Sequence, residues 1–79
     1  MSRDFKAGEE PSELMQILAE TVRARREAIK MVQGELAERS GVSVTQISYI
    51  ESARAKPTLS QLEKIAGVLG CSVVDLLTR

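Results

Sequence analysis

Apolar residues recur every three or four positions along most of this chain, a spacing that places side chains on one face of an α-helix. The first run begins after Pro11 and Ser12 and predicts a long helix that ends near Lys30. Its apolar positions are Leu14, Ile17, Leu18, Val22, Ala28 and Ile29. A second run predicts a short helix over residues 33–39. Gly41 follows it and suits the helix end, because glycine readily adopts a left-handed backbone.

Pairs of polar residues mark where three further helices begin. Each pair has the spacing of a capping box, in which two side chains satisfy free N–H groups of the first helical turn. The pairs are Ser43 with Gln46, Thr58 with Gln61, and Ser72 with Asp75. Each precedes an apolar stripe, so the pattern predicts an all-α fold of five helices. We expect a single domain over residues 11–79, preceded by a flexible, acidic N-terminal arm over residues 1–10, which has no apolar periodicity.

Composition narrows the chemistry available to the chain. The 79 residues include one cysteine and no histidine, which excludes an intramolecular disulfide, a cysteine-clip zinc site, imidazole ligands and the commonest general base. We therefore predict no metal, no cofactor and no enzymatic activity. No apolar run has the length of a membrane span, so we expect a cytoplasmic protein without membrane contact. Cys71 is expected to fill space in the core and not to react.

The net charge of zero conceals an uneven distribution. Residues 1–22 carry two basic and five acidic side chains, whereas residues 23–56 carry seven basic and four acidic ones. The remaining residues are balanced. A basic middle segment behind an acidic head is one indication of nucleic-acid contact.

Residues 33–52 have the layout of a helix-turn-helix. Ala37 is small enough for a second helix to cross closely, and Gly41 makes the turn. The spacing favours DNA binding, with an ordinary helical hairpin in a small bundle as the alternative. Four apolar residues would fill the seam between the two helices: Leu36, Val42, Ile47 and Ile50.

The same stretch and its flanks resemble the lambda-repressor/Cro-like, or XRE, family of helix-turn-helix regulators. The matching segments are Gln33-Gly34-Glu35-Leu36-Ala37, Ser40-Gly41-Val42-Ser43, Ile47-Ser48-Tyr49-Ile50-Glu51, Lys56-Pro57-Thr58-Leu59, Leu62-Glu63-Lys64-Ile65-Ala66, Leu69-Gly70-Cys71-Ser72 and Asp75-Leu76-Leu77. The resemblance implies a compact, five-helix, lambda-repressor-like DNA-binding domain. The chain departs from the family at four positions. Lys30 and Ala53 stand where glycine is common, Val32 where a capping Ser or Thr is common, and Arg25 where Leu is common.

The third predicted helix would present one face to the major groove of double-stranded DNA. The residues predicted to read bases are Val44, Thr45, Gln46, Ser48 and Tyr49. Val44 and Thr45 can contact a thymine methyl group, and a glutamine amide can read adenine. Gln46 has an alternative role, since its side chain could instead reach back to the backbone of Ser43 as part of the capping box.

A second set is predicted to contact the DNA backbone. It comprises Gln33, Ser43, Arg54, Lys56 and Thr58. Gln33 and Thr58 lie at helix starts, where free N–H groups favour phosphate, and the resemblance implies that Gln33 also supports a base-reading side chain. Arg23, Arg25 and Arg39 are further candidates, for which a solvated surface position is an equal alternative.

Two further sets of residues are predicted to hold the assembly together. The resemblance implies a structural ion pair between Arg26 and Glu51. The last helix has more apolar residues than a small core buries on one side, which favours a homodimer surface. The predicted dimer surface comprises Leu69, Val73, Val74, Leu76 and Leu77.

The predicted function is that of a sequence-specific transcriptional regulator that binds a palindromic operator as a homodimer. Two half-sites are needed because one recognition helix reads only a few base pairs. The alternative is an adaptor or antitoxin of the same fold whose main partner is a protein.

Overall fold

A computed structural model describes residues 11–79, and the predicted arm over residues 1–10 lies outside this range. Within it the chain is all-helical, as the sequence predicts. The five helices are α1 (Glu13–Ala28), α2 (Gln33–Ser40), α3 (Val44–Glu51), α4 (Leu59–Leu69) and α5 (Val73–Leu76). Each begins within two residues of its predicted start.

The core lies where all five helices meet. α3 packs against both α1 and α2, α4 packs against α2, and α5 packs against α1 and α4. The largest fully buried side chains come from every helix: Val22, Leu36, Ile47, Ile50, Ile65 and Leu76. Burying each of these stabilises the fold by about 1.5–3 kcal/mol relative to an exposed side chain.

The buried stripe of α1 differs in part from the predicted one. Leu14 and Ile29 are about half exposed, at 52% and 51%. Met15 and Ala19 are buried in their place, beside Leu18 and Val22. The spacing of these four buried residues follows one helical face, and Leu14 and Ile29 fall outside it.

Side-chain caps start four of the helices. The hydroxyl oxygens of Ser12, Ser43, Thr58 and Ser72 each accept a hydrogen bond from the backbone N–H three residues later. The boxes at the starts of α4 and α5 are complete. The box at the start of α3 is not, because the Gln46 side chain makes a different contact. α2 has no side-chain cap, since Val32 occupies the capping position.

Two helices are followed by a residue that has a left-handed backbone conformation although it is not glycine. Lys30 after α1 has φ 57°, and Ala53 after α3 has φ 59°. Around Ala53 the backbone N–H of Arg54 donates to the Tyr49 carbonyl at 2.8 Å, and the Ala53 N–H donates to Ile50 at 3.1 Å. This is the Schellman arrangement, which usually has glycine at its left-handed position. The two departures from the family's glycines thus coincide with strained backbone.

α5 closes the core, and this corrects part of the predicted dimer surface. Leu76 is completely buried and Leu69 is 9% exposed, because α5 folds back onto α1 and α4. These two side chains are therefore core residues and leave no surface for a partner. Val74 is 71% exposed, and Val73 and Leu77 are partly buried against the core.

Polar contacts hold the end of α5 and the residues after it onto α1. The Thr21 hydroxyl donates to the Leu76 carbonyl. Farther along, the Arg79 guanidinium bonds the Glu20 carboxylate at 3.0 Å and lies 3.6 Å from Glu13. The hydrogen bond from Arg79 holds the pKa of Glu20 below its usual range.

Candidate nucleic-acid interface

One face of α3 anchors the helix in the core and the opposite face is open. Ile47 and Ile50 are at most 1% exposed. Four of the predicted base-reading residues lie on the open side: Val44, Thr45, Ser48 and Tyr49. Val44 and Tyr49 are 48% and 45% exposed, so an apolar and an aromatic side chain lie side by side with the hydroxyls of this face. The face therefore has methyl groups, hydroxyls and an aromatic ring available for base edges.

Gln46, the fifth predicted reader, is half-buried at the edge of this face. Its Nε2 donates to Oε1 of Gln61, on α4, at 3.2 Å. The expected alternative, a bond back to the Ser43 backbone, is not what the side chain does. Ser43 still caps α3 through its hydroxyl, which accepts from the Gln46 backbone N–H at 3.1 Å.

The connector between α3 and α4 carries three of the other predicted contacts. Arg54, Lys56 and Thr58 are exposed, and they alternate with half-buried Ala55 and Pro57. Ala55 packs against the core, which fixes the connector in place. Cationic groups and a hydroxyl are the side chains that commonly contact phosphate oxygens.

Gln33, at the start of α2, is tied to a buried carboxylate. Its Nε2 donates to Oε1 of Glu51 at 3.0 Å. The same carboxylate receives two bonds from the Arg26 guanidinium, from Nε at 2.7 Å and from Nη2 at 2.8 Å. The ion pair that the resemblance implies is therefore present and bidentate, and Gln33 extends it to the surface.

Glu51 is 3% exposed, so its charge depends on these partners. Burial alone would raise the pKa of the Glu51 carboxyl. The hydrogen bonds from Arg26 and Gln33 outweigh burial and hold that pKa below its ordinary value. Arg26 Nη1 also donates to the Met31 carbonyl at 2.7 Å, and one network thus joins α1, α2 and α3.

The three remaining arginine candidates make different contacts. Arg23 Nη2 donates to the Glu51 backbone carbonyl at 3.1 Å, at the C-terminal end of α3. Arg39 pairs with Glu35 one turn earlier on α2, at 2.9 Å. Arg25 is exposed on α1, where its charge acts on Asp75 and Cys71. Burial raises the pKa of the Cys71 thiol, which disfavours the reactive thiolate.

The sequence missed one residue of this surface, Gln61. The sequence pattern identifies it only as the partner of Thr58 in a capping box, and the structure confirms that box. Its contact with Gln46 joins residues fifteen positions apart on two different helices. A periodic pattern carries no signal for such a pair.

The chain is similar to known helix-turn-helix proteins. The family described as "Helix-turn-helix" matches residues 22–76. The control protein C.SmaI of Serratia marcescens is 42% identical over 67 residues, which cover 85% of this chain and 80% of that protein. The immunity repressor protein of Bacillus phage phi105 is 38% identical over 56 residues, but the match covers only 39% of the repressor.

Solved structures agree at the level of the fold. A hypothetical transcription factor, NHTF, from Neisseria superposes with a TM-score of 0.80 and 34% identity, covering 90% of this chain and 84% of that one. The hydroxypropylphosphonic acid epoxidase of S. wedmorenis also matches, with a TM-score of 0.74 and 33% identity. That match covers 82% of this chain but only 35% of the epoxidase, so it concerns one part of a larger protein. None of the helices between residues 11 and 79 is long and apolar enough to cross a membrane.

Proposed function

The chain belongs to the XRE-type helix-turn-helix family of DNA-binding transcriptional regulators, and from this premise we propose that it binds a palindromic operator as a homodimer. In the proposed complex α3 lies in the major groove and reads bases through Val44, Thr45, Gln46, Ser48 and Tyr49. Gln33, Ser43, Arg54, Lys56 and Thr58 contact the sugar-phosphate backbone on either side. We also propose a cytoplasmic location, which is consistent with DNA as the partner.

The observation that carries this proposal is the exposed face of α3. Val44 and Tyr49 are solvent-exposed on a helix whose other face is fully buried. Exposed apolar and aromatic groups on a helix that is followed directly by a connector with basic side chains suit a surface that touches base edges and phosphate together. The hydroxyls of Ser43 and Thr58 accept capping bonds with their oxygens, so each retains its O–H to donate to a phosphate.

We further propose that the dimer surface consists of Val73, Val74 and Leu77, without the two buried leucines. Val74 is among the most exposed large apolar residues of the described chain, at 71%. A dimer would shield it from water and would place two α3 helices on successive half-sites, about 34–36 Å apart.

Selection of bound sequences from a random pool of duplex DNA tests this function. We expect an enriched site with two inverted half-sites. Binding to that site should weaken with added salt, with a log–log slope of several units, because phosphate contacts release counterions. A pool without enrichment, together with salt-insensitive or absent DNA binding, would refute the proposal. That result would favour the alternative, a protein-binding adaptor or antitoxin.

A further inference from the structure

Gln46 and Gln61 form a chain of hydrogen bonds that begins at a backbone group. The Thr58 N–H donates to Gln61 Oε1 at 3.1 Å, and Gln46 Nε2 donates to the same oxygen at 3.2 Å. A backbone N–H can only donate, so the Gln61 atom that faces it is the oxygen. An oxygen shared in this way accepts from Gln46, so the atom that Gln46 offers is its nitrogen.

This order fixes which way the Gln46 amide points. A free glutamine can rotate its terminal amide by half a turn and exchange the positions of its oxygen and nitrogen. Here the exchange would set two carbonyl oxygens against each other. The carbonyl oxygen and the second N–H of the Gln46 amide remain available to another partner. Their positions cannot be exchanged, because the first N–H is held by Gln61.

We propose that Gln61 is a positioning residue that orients the Gln46 amide for base readout and thereby favours adenine at the contacted position. Adenine offers an acceptor at N7 and a donor at N6 in the major groove, the complement of one amide N–H and one carbonyl oxygen. The inference rests on the proposed function, because it requires α3 to lie in the major groove. It also means that Thr58, a proposed phosphate contact, and Gln46, a proposed base contact, share one acceptor.

The central variant is Gln61→Met, which keeps the length of the side chain and removes the acceptor. We expect the preference of this variant for one base over the others to weaken by about threefold to tenfold at one base pair of each half-site. This change corresponds to the loss of one hydrogen bond. Preferences at the other positions should stay as in the wild type. The double variant Gln46→Ala, Gln61→Met should show the same base preference at that position as Gln46→Ala alone.

Two control variants separate positioning from loss of a helix cap. Gln61→Glu keeps an oxygen for both donors, so it should retain the base preference even though its charge lowers affinity for all DNA. Ser12→Ala removes the side-chain cap of α1, which is far along the chain from α3. It should lower stability and leave the base-preference profile unchanged.

A measurement without DNA tests the contact itself. In the free protein, the side-chain amide resonances of Gln46 in an NMR spectrum should shift in Gln61→Met and remain near wild type in Gln61→Glu. Unchanged Gln46 resonances in Gln61→Met would overturn the inference, as would an unaltered base preference in a folded Gln61→Met protein. If the wild type selects no DNA site, the proposed function fails, and the NMR comparison still decides whether Gln61 orients Gln46.

Discussion

At the scale of single residues, Ala53 carries a backbone conformation that glycine would adopt at lower cost. Its φ of 59° brings the Cβ close to the following carbonyl, a strain of about 1–2 kcal/mol for residues with a side chain. Ala53→Gly should therefore raise the free energy of unfolding by about 0.5–1 kcal/mol, after the larger entropy of glycine in the unfolded chain is subtracted. Urea denaturation measures the change.

The matched control for Ala53→Gly is Ala24→Gly, at an exposed position inside α1. There the backbone is right-handed, so glycine should lower stability by about 1 kcal/mol. If both variants destabilise the protein equally, the left-handed residue at the end of α3 is not strained.

The lowered pKa of Glu51 predicts how the free energy of unfolding depends on pH. Its pKa is lowered in the folded state, so its contribution is complete above the ordinary value of 4.5 and is lost as the pH falls through the folded-state pKa. At pH 7, Glu51→Gln should cost about 3–5 kcal/mol, because it leaves the Arg26 charge without its partner. The difference between the two proteins should shrink below pH 4.5 in denaturation series.

Glu27→Gln is the control for this pH dependence. Glu27 also lies near Arg26, at 4.0 Å, but its side chain is 62% exposed. Its removal should change stability by less than about 1 kcal/mol at any pH. A pH profile of Glu51→Gln parallel to that of the wild type would contradict the assignment to Glu51.

At the scale of elements, α3 and the connector after it predict different effects on DNA binding. Thr45→Ala and Tyr49→Ala should weaken binding to the selected site by about 1–3 kcal/mol each, and binding to random DNA much less. Lys56→Ala should weaken both equally and reduce the salt slope by about one. Fluorescence anisotropy with selected and random duplexes measures all three.

Lys64→Ala provides the control for charge. Lys64 is exposed in the middle of α4, outside the proposed interface, and its loss changes the net charge by the same amount as the loss of Lys56. Its effect on either duplex should be smaller than that of Lys56→Ala. Equal effects would mean that the connector has no special role in contacting phosphate.

At the scale of the whole molecule, the proposed dimer uses the face of α5 that the core leaves open. Val74→Glu should shift the protein toward monomers in sedimentation equilibrium, because it places a charge in a surface that would otherwise exclude water. Val32→Glu adds the same charge at a residue that is 65% exposed and precedes α2. Val32→Glu should leave the oligomeric state unchanged. If Val74→Glu remains a dimer, the interface lies on another part of the molecule.

Much of this molecule follows from local patterns, and the rest depends on contacts between distant residues. Caps and apolar stripes predict the helices and the open face of α3, because those signals lie within one or two turns of the chain. The burial of Leu76 could not be predicted, since it depends on how α5 folds back onto α1. The orientation of Gln46 could not be predicted either, because it is set by a residue on α4.

Tyr49 has one more consequence, which concerns how the molecule can be observed. It is the only tyrosine of a chain that has no tryptophan, and it lies exposed on α3. The intrinsic ultraviolet emission of the whole protein therefore comes almost entirely from one ring on the proposed recognition surface. An unlabelled sample thus carries its own optical reporter there, and titration with the selected duplex should change its emission where titration with a protein partner bound elsewhere would not.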